Sequence, residues 1–149
     1  MKKFFPTGQT LLRFALGTGF ILPVLDRIGF LGAPGSPNVS WGNWANFVTY
    51  SNQLNFFAPA SMASLLAIAA TVLEVVLAIL LLIGYRTRLA ALLSGGLLII
   101  FALTMTISFG IKVTLNYSVW VGASACFLLS TFRSFAFSLD AYLALLRKK

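Results

Sequence analysis

Long apolar runs dominate the chain, and four of them are long enough to cross a lipid bilayer. They cover residues 9–29, 59–83, 89–110 and 113–132. A hydrocarbon core about 30 Å thick requires about 20 mainly apolar residues in a helix. The pattern therefore predicts an all-α fold, a four-transmembrane-helix bundle that forms a single domain over residues 1–149.

The segment between the first two runs has a different character. Residues 32–37 are rich in Gly, Pro and Ser, and residues 40–57 are rich in aromatic and amide side chains. Because Trp and Tyr favour the membrane–water boundary, we expect an outer interfacial segment here, either a short helix or re-entrant piece or an ordinary anchored loop.

The C-terminal tail has apolar residues at helical spacing and ends on basic residues. The apolar positions are Phe135, Leu139, Tyr142, Leu143 and Leu146. This pattern predicts a C-terminal amphipathic helix on the membrane surface.

Basic residues flank the apolar runs mainly on one side of the predicted bundle. That side would hold Lys2, Lys3, Arg86, Arg88, Arg133, Arg147, Lys148 and Lys149. The other side would hold Lys112, with Arg27 near its boundary. Since the side richer in Lys and Arg faces the cytoplasm, both termini are predicted to be cytoplasmic.

Composition supports the lipid environment and narrows the chemistry. Only 9% of residues are charged, against about 25% in an ordinary soluble domain. The net charge of +8 could indicate nucleic acid in a soluble protein, but here the basic residues flank membrane runs, so we expect no nucleic-acid partner. With no histidine and the single cysteine Cys126, the chain has no internal disulfide and no His-based haem or zinc site. We assign no catalytic residues, no metal ligands and no intrinsic cofactor.

Glu74 is the most informative polar residue, because it lies near the middle of the second apolar run. It precedes Gly84 by ten residues, which corresponds to about 15 Å of helix. A charged group at that depth is costly and requires a partner. We predict a buried polar pair between Arg13 and Glu74. The pair could fix the helix register only, or form the polar floor of a ligand or proton site.

The outer end of the first helix carries a second pair of charges. We interpret Asp26 and Arg27 as interfacial side chains that extend to water. Five residues of the first helix are predicted to lie along one helical stripe, from which Asp26 points away: Arg13, Gly17, Phe20, Val24 and Arg27.

The aromatic segment suggests a ligand pocket. If it covers the bundle, its rings should roof a cavity with walls from the first three helices. The candidate ligand-binding residues are Phe20, Trp41, Trp44, Tyr50 and Met105.

Several short stretches together resemble the DoxX family of small four-helix membrane proteins. They are residues 12–17 with Phe20, residues 73–77 around Glu74, residues 82–91 and residues 101–105. The resemblance extends over about residues 11–132. It implies a four-helix bundle associated with membrane redox systems, some relatives being subunits of a quinone oxidoreductase.

These observations lead to one functional hypothesis and two alternatives. The hypothesis is an accessory, non-catalytic subunit of a quinone-linked redox enzyme in the bacterial cytoplasmic (inner) membrane, binding a quinone or a lipid within the bundle. The alternatives are a small proton-linked transporter that uses Glu74, and a purely structural membrane scaffold.

Overall fold

The computed structural model describes residues 4–147, and the side chains of residues 4, 5, 60 and 63 lie outside that description. Lys2, Lys3, Lys148 and Lys149, which contribute to the predicted orientation, also lie outside it. The fold of the described residues is all-α, as predicted: helices and turns connect along the chain, and no described residue belongs to a strand. The seven α-helices are α1 (Phe4–Arg27), α2 (Trp44–Leu54), α3 (Ala63–Ile83), α4 (Thr87–Phe109), α5 (Ile111–Asn116), α6 (Val119–Ser130) and α7 (Leu139–Leu146). A short 3₁₀ turn, Ala60–Met62, precedes α3.

Three of these helices are long and apolar enough to cross a membrane. The qualifying stretches are Pro6–Arg27, Ser64–Ile83 and Thr87–Phe109. They correspond to the first three predicted spans, and α3 and α4 are joined by a tight turn in which Gly84 has a φ of +74°.

The fourth predicted span is not one continuous helix. Residues 113–132 are divided between α5 and α6, and Ser118, with a φ of +53°, separates the two. The Thr114 hydroxyl lies 3.2 Å from that of Thr106 and accepts a 3.3 Å bond from Trp120 Nε1, which holds the break against α4. With 12 residues, α6 rises only about 18 Å, less than a hydrocarbon core about 30 Å thick.

Helix α1 packs antiparallel against α3 along a buried stripe. Gly17 allows the close approach, because a Cβ at this position would lie 2.7 Å from Leu82 Cγ. The predicted stripe is confirmed, since all five of its members are buried: Arg13, Gly17, Phe20, Val24 and Arg27. This stripe places two arginines at opposite ends of the same interface.

The aromatic segment contains α2, which matches the short-helix alternative of the prediction. The Asn43 side chain accepts a 2.8 Å bond from the Asn46 N–H and so caps the first turn. Helix α2 packs on α3 and α4 and buries Phe47, Ser51 and Leu54.

The predicted C-terminal helix is present as α7, capped by the Ser138 hydroxyl, which accepts a 3.1 Å bond from the Ala141 N–H. Asp140, in its first turn, accepts bonds from the N–H groups of Arg86 and Thr87, both at 2.8 Å. The tail is thereby fastened to the start of α4.

Candidate functional site

Glu74 forms an ion pair with Arg27. Arg27 Nη1 lies 2.6 Å from Glu74 Oε2, and the two residues are only 2% and 5% exposed. Both charges are therefore removed from solvent, a situation that proteins tolerate when the charges compensate each other.

The predicted pair between Arg13 and Glu74 is wrong. Arg13 lies at the level of Gly84, because a Cβ on Gly84 would be 2.6 Å from Arg13 Nη1. Glu74 is ten residues, or about 15 Å, further along α3. An arginine side chain cannot cover that distance, so the depth estimate failed for Arg13.

The reason is the direction in which helical side chains extend. They lean towards the N-terminus of their own helix. Arg13 therefore leans away from the bundle centre, whereas Arg27 leans back towards it. Consistent with this, Arg27 Nε donates a 3.1 Å bond to the Pro23 carbonyl, one turn earlier.

Arg13 instead holds the C-terminal segment. Its guanidinium donates from Nη1 to the Ala136 carbonyl at 3.3 Å and from Nη2 to the Phe137 carbonyl at 2.6 Å. Gln9 adds two bonds, to the Ser134 carbonyl at 2.6 Å and from the Ala136 N–H at 3.1 Å. Arg13 is therefore part of a structural junction between α1 and the tail.

Aromatic and polar groups surround the Arg27 guanidinium on its remaining sides. Arg27 Nη1 donates to the Thr71 hydroxyl at 2.8 Å. The guanidinium carbon lies 3.8 Å from the centre of the Phe47 ring and 5.4 Å from that of Trp41. Cation–π contacts of this kind stabilise a charge that has lost its water.

Asp26 positions the aromatic segment over this pair. Its carboxylate accepts bonds from the N–H groups of Ser40 at 2.8 Å, Trp41 at 3.3 Å and Gly42 at 3.0 Å. Gly42 has a φ of +65°, and a Cβ there would lie 2.5 Å from Pro34 N, so this turn requires glycine. The interpretation of Asp26 and Arg27 as side chains that extend to water is wrong, because the fold of residues 40–42 buries both.

A cavity of about 1120 Å³ lies beside the ion pair. Its walls come from α1, α3 and α4, as predicted, and also from residues 113–122. Arg27 and Glu74 lie on its wall, together with four of the five candidate ligand-binding residues: Phe20, Trp41, Tyr50 and Met105. Trp44 lies outside the lining and contacts Phe47, with the ring centres 5.5 Å apart.

The cavity is open along the side of the bundle. Ala15 and Gly19 of α1 and Leu73 of α3 line it and are exposed. Because α1 and α3 have the length and composition of membrane spans, this opening is suited to a molecule that arrives from the lipid.

Tyr50 lines the cavity and contacts another aromatic residue of its lining. Its ring stacks on Phe109 with the centres 5.5 Å apart. Burial, and to a smaller degree the neighbouring Tyr117, raises the pKa of the Tyr50 phenol above its usual value. The phenol therefore remains protonated and neutral over the physiological range.

A sequence profile of the DoxX family matches residues 8–107, about two thirds of the chain. The chain belongs to the DoxX family. It is accordingly an integral membrane protein of helical type, as its apolar helices independently indicate. No curated protein and no solved structure matches it.

The DoxX match contains the whole ion pair and its aromatic cover. It runs from α1 to α4 and stops before α5, so the broken fourth segment and α7 lie outside it. The stripe on α1 was the signal that could have identified Arg27 as the partner of Glu74 in this DoxX protein. Phe47 and Thr71 carried no sequence signal of their own, because each gains its role only from the fold.

Proposed function

We propose that this DoxX protein is an accessory, non-catalytic membrane subunit that binds a quinone or a lipid in the cavity beside Arg27 and Glu74. The observation that carries the proposal is a buried ion pair on the wall of a large, mainly apolar cavity that opens along the bundle. The polar head of the ligand would lie at the pair and its apolar part along the walls of α1, α3 and α4.

The size and lining of the cavity support this assignment. Pockets for small molecules usually measure about 300–1,000 Å³ and combine apolar walls with a few placed polar groups. This cavity, at about 1120 Å³, suits a ligand with an extended apolar part. The rings of Trp41, Phe47 and Tyr50 line the cavity and would offer apolar contacts to a planar head group.

A quinone-linked role also agrees with the composition of the chain. Without histidine and with one cysteine, it has few side chains with which to hold a redox centre. Electrons would be carried by the bound quinone and by a partner enzyme, so the subunit would hold and orient its ligand. Isolation from native membranes followed by mass spectrometry should identify that partner.

Binding can be tested with a matched pair of glycine substitutions. Gly19 lines the cavity, whereas Gly96 does not, and an added Cβ meets no neighbour within 4 Å at either position. Calorimetric titration of a decyl-benzoquinone into protein in lipid nanodiscs should show binding that Gly19→Leu weakens at least about tenfold and Gly96→Leu preserves. Equal effects of the two variants, or no binding to the wild type, would contradict the proposal.

We further propose that both termini face the cytoplasm. The basic residues that flank the spans support this orientation. Reporter enzymes fused after the last residue should be active on the cytoplasmic side only, and activity on the outer side alone would reject the orientation.

Proton-linked transport is a second candidate, which the position of Glu74 favours. A buried carboxylate on the wall of an open cavity could bind a proton together with a substrate. Uptake into liposomes driven by a proton gradient, and abolished by Glu74→Gln, would support this function over the accessory role.

A further inference from the structure

A smaller cleft lies at the Gly84 end of the bundle, between α7 and the turn that joins α3 to α4. It measures about 560 Å³, and its lining consists of Tyr85, Arg86, Asp140, Leu143, Ala144 and Arg147. None of these residues lines the cavity beside the Arg27–Glu74 pair, so the two sites are separate.

The cleft lies at the level where two membrane spans end. The candidate span Ser64–Ile83 stops just before the turn, and the candidate span Thr87–Phe109 begins just after it. Helix α7 is held at the same level, because the Asp140 N–H donates a 2.9 Å bond to the Gly84 carbonyl. A turn that joins two spans lies at the boundary of the hydrocarbon core, among the lipid head groups.

Two arginines from distant parts of the chain line this cleft. Arg86 and Arg147 are exposed, and neither guanidinium forms an ion pair within residues 4–147. The acid of the lining, Asp140, is engaged elsewhere, since its carboxylate accepts 2.8 Å bonds from the N–H groups of Arg86 and Thr87. Two guanidinium groups against one carboxylate leave the cleft with a net positive charge.

Exposed apolar side chains adjoin these charges on α7. No residue of this helix is buried, and Tyr142, Leu145 and Leu146 are 59%, 66% and 51% exposed. Leu143 lies in the lining of the cleft itself. A short helix with apolar and basic residues at a membrane boundary is suited to contact acyl chains and anionic head groups together.

We propose that this cleft binds the head group of an anionic phospholipid, with the phosphate between the guanidinium groups of Arg86 and Arg147 and the acyl chains along α7. Arginine suits this role because its planar fork of N–H donors matches two oxygens of a phosphate. Basic pockets at the ends of membrane helices are a common site for anionic lipid heads. A free phosphate shares the charge, but it has no hydrocarbon to place on the apolar side chains of α7.

The preference for an anionic head can be measured with two lipids that have the same acyl chains. The full-length protein in a neutral detergent is titrated with phosphatidylglycerol or phosphatidylcholine, and bound lipid is counted by native mass spectrometry. An arginine near an anionic lipid head strengthens binding about fivefold, so phosphatidylglycerol should bind at least about fivefold tighter. The neutral detergent presents no charged surface, so the measurement reports on bound lipid molecules alone.

Matched arginine substitutions locate the site. Arg86→Gln and Arg147→Gln should each reduce the preference for phosphatidylglycerol about fivefold. Arg88→Gln and Arg133→Gln remove the same charge from exposed positions outside the cleft and should leave the preference unchanged. Glutamine at position 86 keeps the backbone N–H that Asp140 binds, and circular dichroism checks the fold of each variant.

Equal binding of the two lipids to the wild type would overturn the inference. Equal losses in the cleft variants and in the controls would also overturn it, because the preference would then come from the charge of the whole surface. Glycerol phosphate that displaces the lipid at equal concentration would refute the role of the acyl chains. Arg147→Gln alone decides the test if Arg86→Gln unfolds the protein, and none of these results depends on quinone binding.

Discussion

The buried pair between Arg27 and Glu74 should be visible as thermodynamic coupling. The perturbation is a set of three variants, Arg27→Met, Glu74→Leu and the double change, each of which replaces a charged side chain by an apolar one of similar size. Either single change leaves the opposite charge buried and uncompensated, at 2% and 5% exposure.

The magnitude follows from that burial. Removing one member of a buried pair typically lowers the free energy of unfolding by about 3–5 kcal/mol, whereas an apolar replacement of both members is often neutral. Arg27→Met also loses the cation–π contact with Phe47, 3.8 Å from the ring centre, which contributes about 0.5–2 kcal/mol. The double variant should therefore recover at least about 3 kcal/mol relative to the sum of the single changes.

The assay is equilibrium unfolding in mixed micelles, followed by circular dichroism. A second cycle provides the control: Arg13→Met combined with Glu74→Leu. Arg13 is bonded to the carbonyls of Ala136 and Phe137 and lies about 15 Å from Glu74 along the bundle. These two changes should be additive within about 0.5 kcal/mol. Additive losses in the Arg27 cycle, or coupling in the Arg13 cycle, would refute the reasoning.

Three further predictions concern other parts of the molecule. Gly84→Ala should lower the free energy of unfolding by about 2 kcal/mol or more, because φ is +74° and the new Cβ would lie 2.5 Å from Ser138 Cβ. Gly96 is the control, because it lies in a helix where an added Cβ meets no neighbour. In the same unfolding assay, Gly96→Ala should be neutral or stabilising by about 0.5–1 kcal/mol. Asp140→Ala should lower the thermal midpoint, since two N–H groups at the start of α4 lose their acceptor, a loss of about 1–2 kcal/mol. For Tyr50, the folded-state pKa lies above the unfolded value near 10, so its contribution to stability is complete below pH 10 and is lost as the pH rises through the folded-state pKa. Tyr50→Phe should abolish that component of the alkaline loss, measured by unfolding at a series of pH values.

The sequence was sufficient to predict what depends on hydrophobic period and length. The long helices α1, α3 and α4 and the helical tail follow from apolar runs and turn residues, whereas the sequence left a helix and a loop as open alternatives for the aromatic segment. The buried stripe on α1 followed from spacing alone. These features depend on residues that are close together in the chain, so a short stretch of sequence is enough to predict each of them.

The partner of Glu74 could not be read from depth alone. The estimate treated both side chains as points on their helix axes, whereas an arginine reaches about one turn towards the N-terminus of its helix. The break at Ser118 was missed for a related reason. Hydrogen bonds among Thr106, Thr114 and Trp120 accompany the break, and they join α4, α5 and α6, which come together only in the folded protein.

The position of Trp41 likewise depends on a long-range contact. Asp26 holds residues 40–42 by backbone N–H groups, which every residue except proline has, so no side-chain pattern in that segment marks the interaction. Trp44, an equally strong candidate by residue type, contacts Phe47 and lies outside the cavity lining.

The hydrogen bonds of Arg13 to the C-terminal segment can form only late in the synthesis of the chain. Arg13 is near the beginning of the chain, while its acceptors at Ala136 and Phe137 follow 123 and 124 residues later. At synthesis rates of about 5–20 residues per second, these two carbonyl groups are made on the order of ten seconds after Arg13. Glu74 reaches Arg27 much earlier, after 47 residues. The first helix is therefore complete long before the carbonyl acceptors of Arg13 are made, and a chain that stops before residue 136 leaves this guanidinium without them.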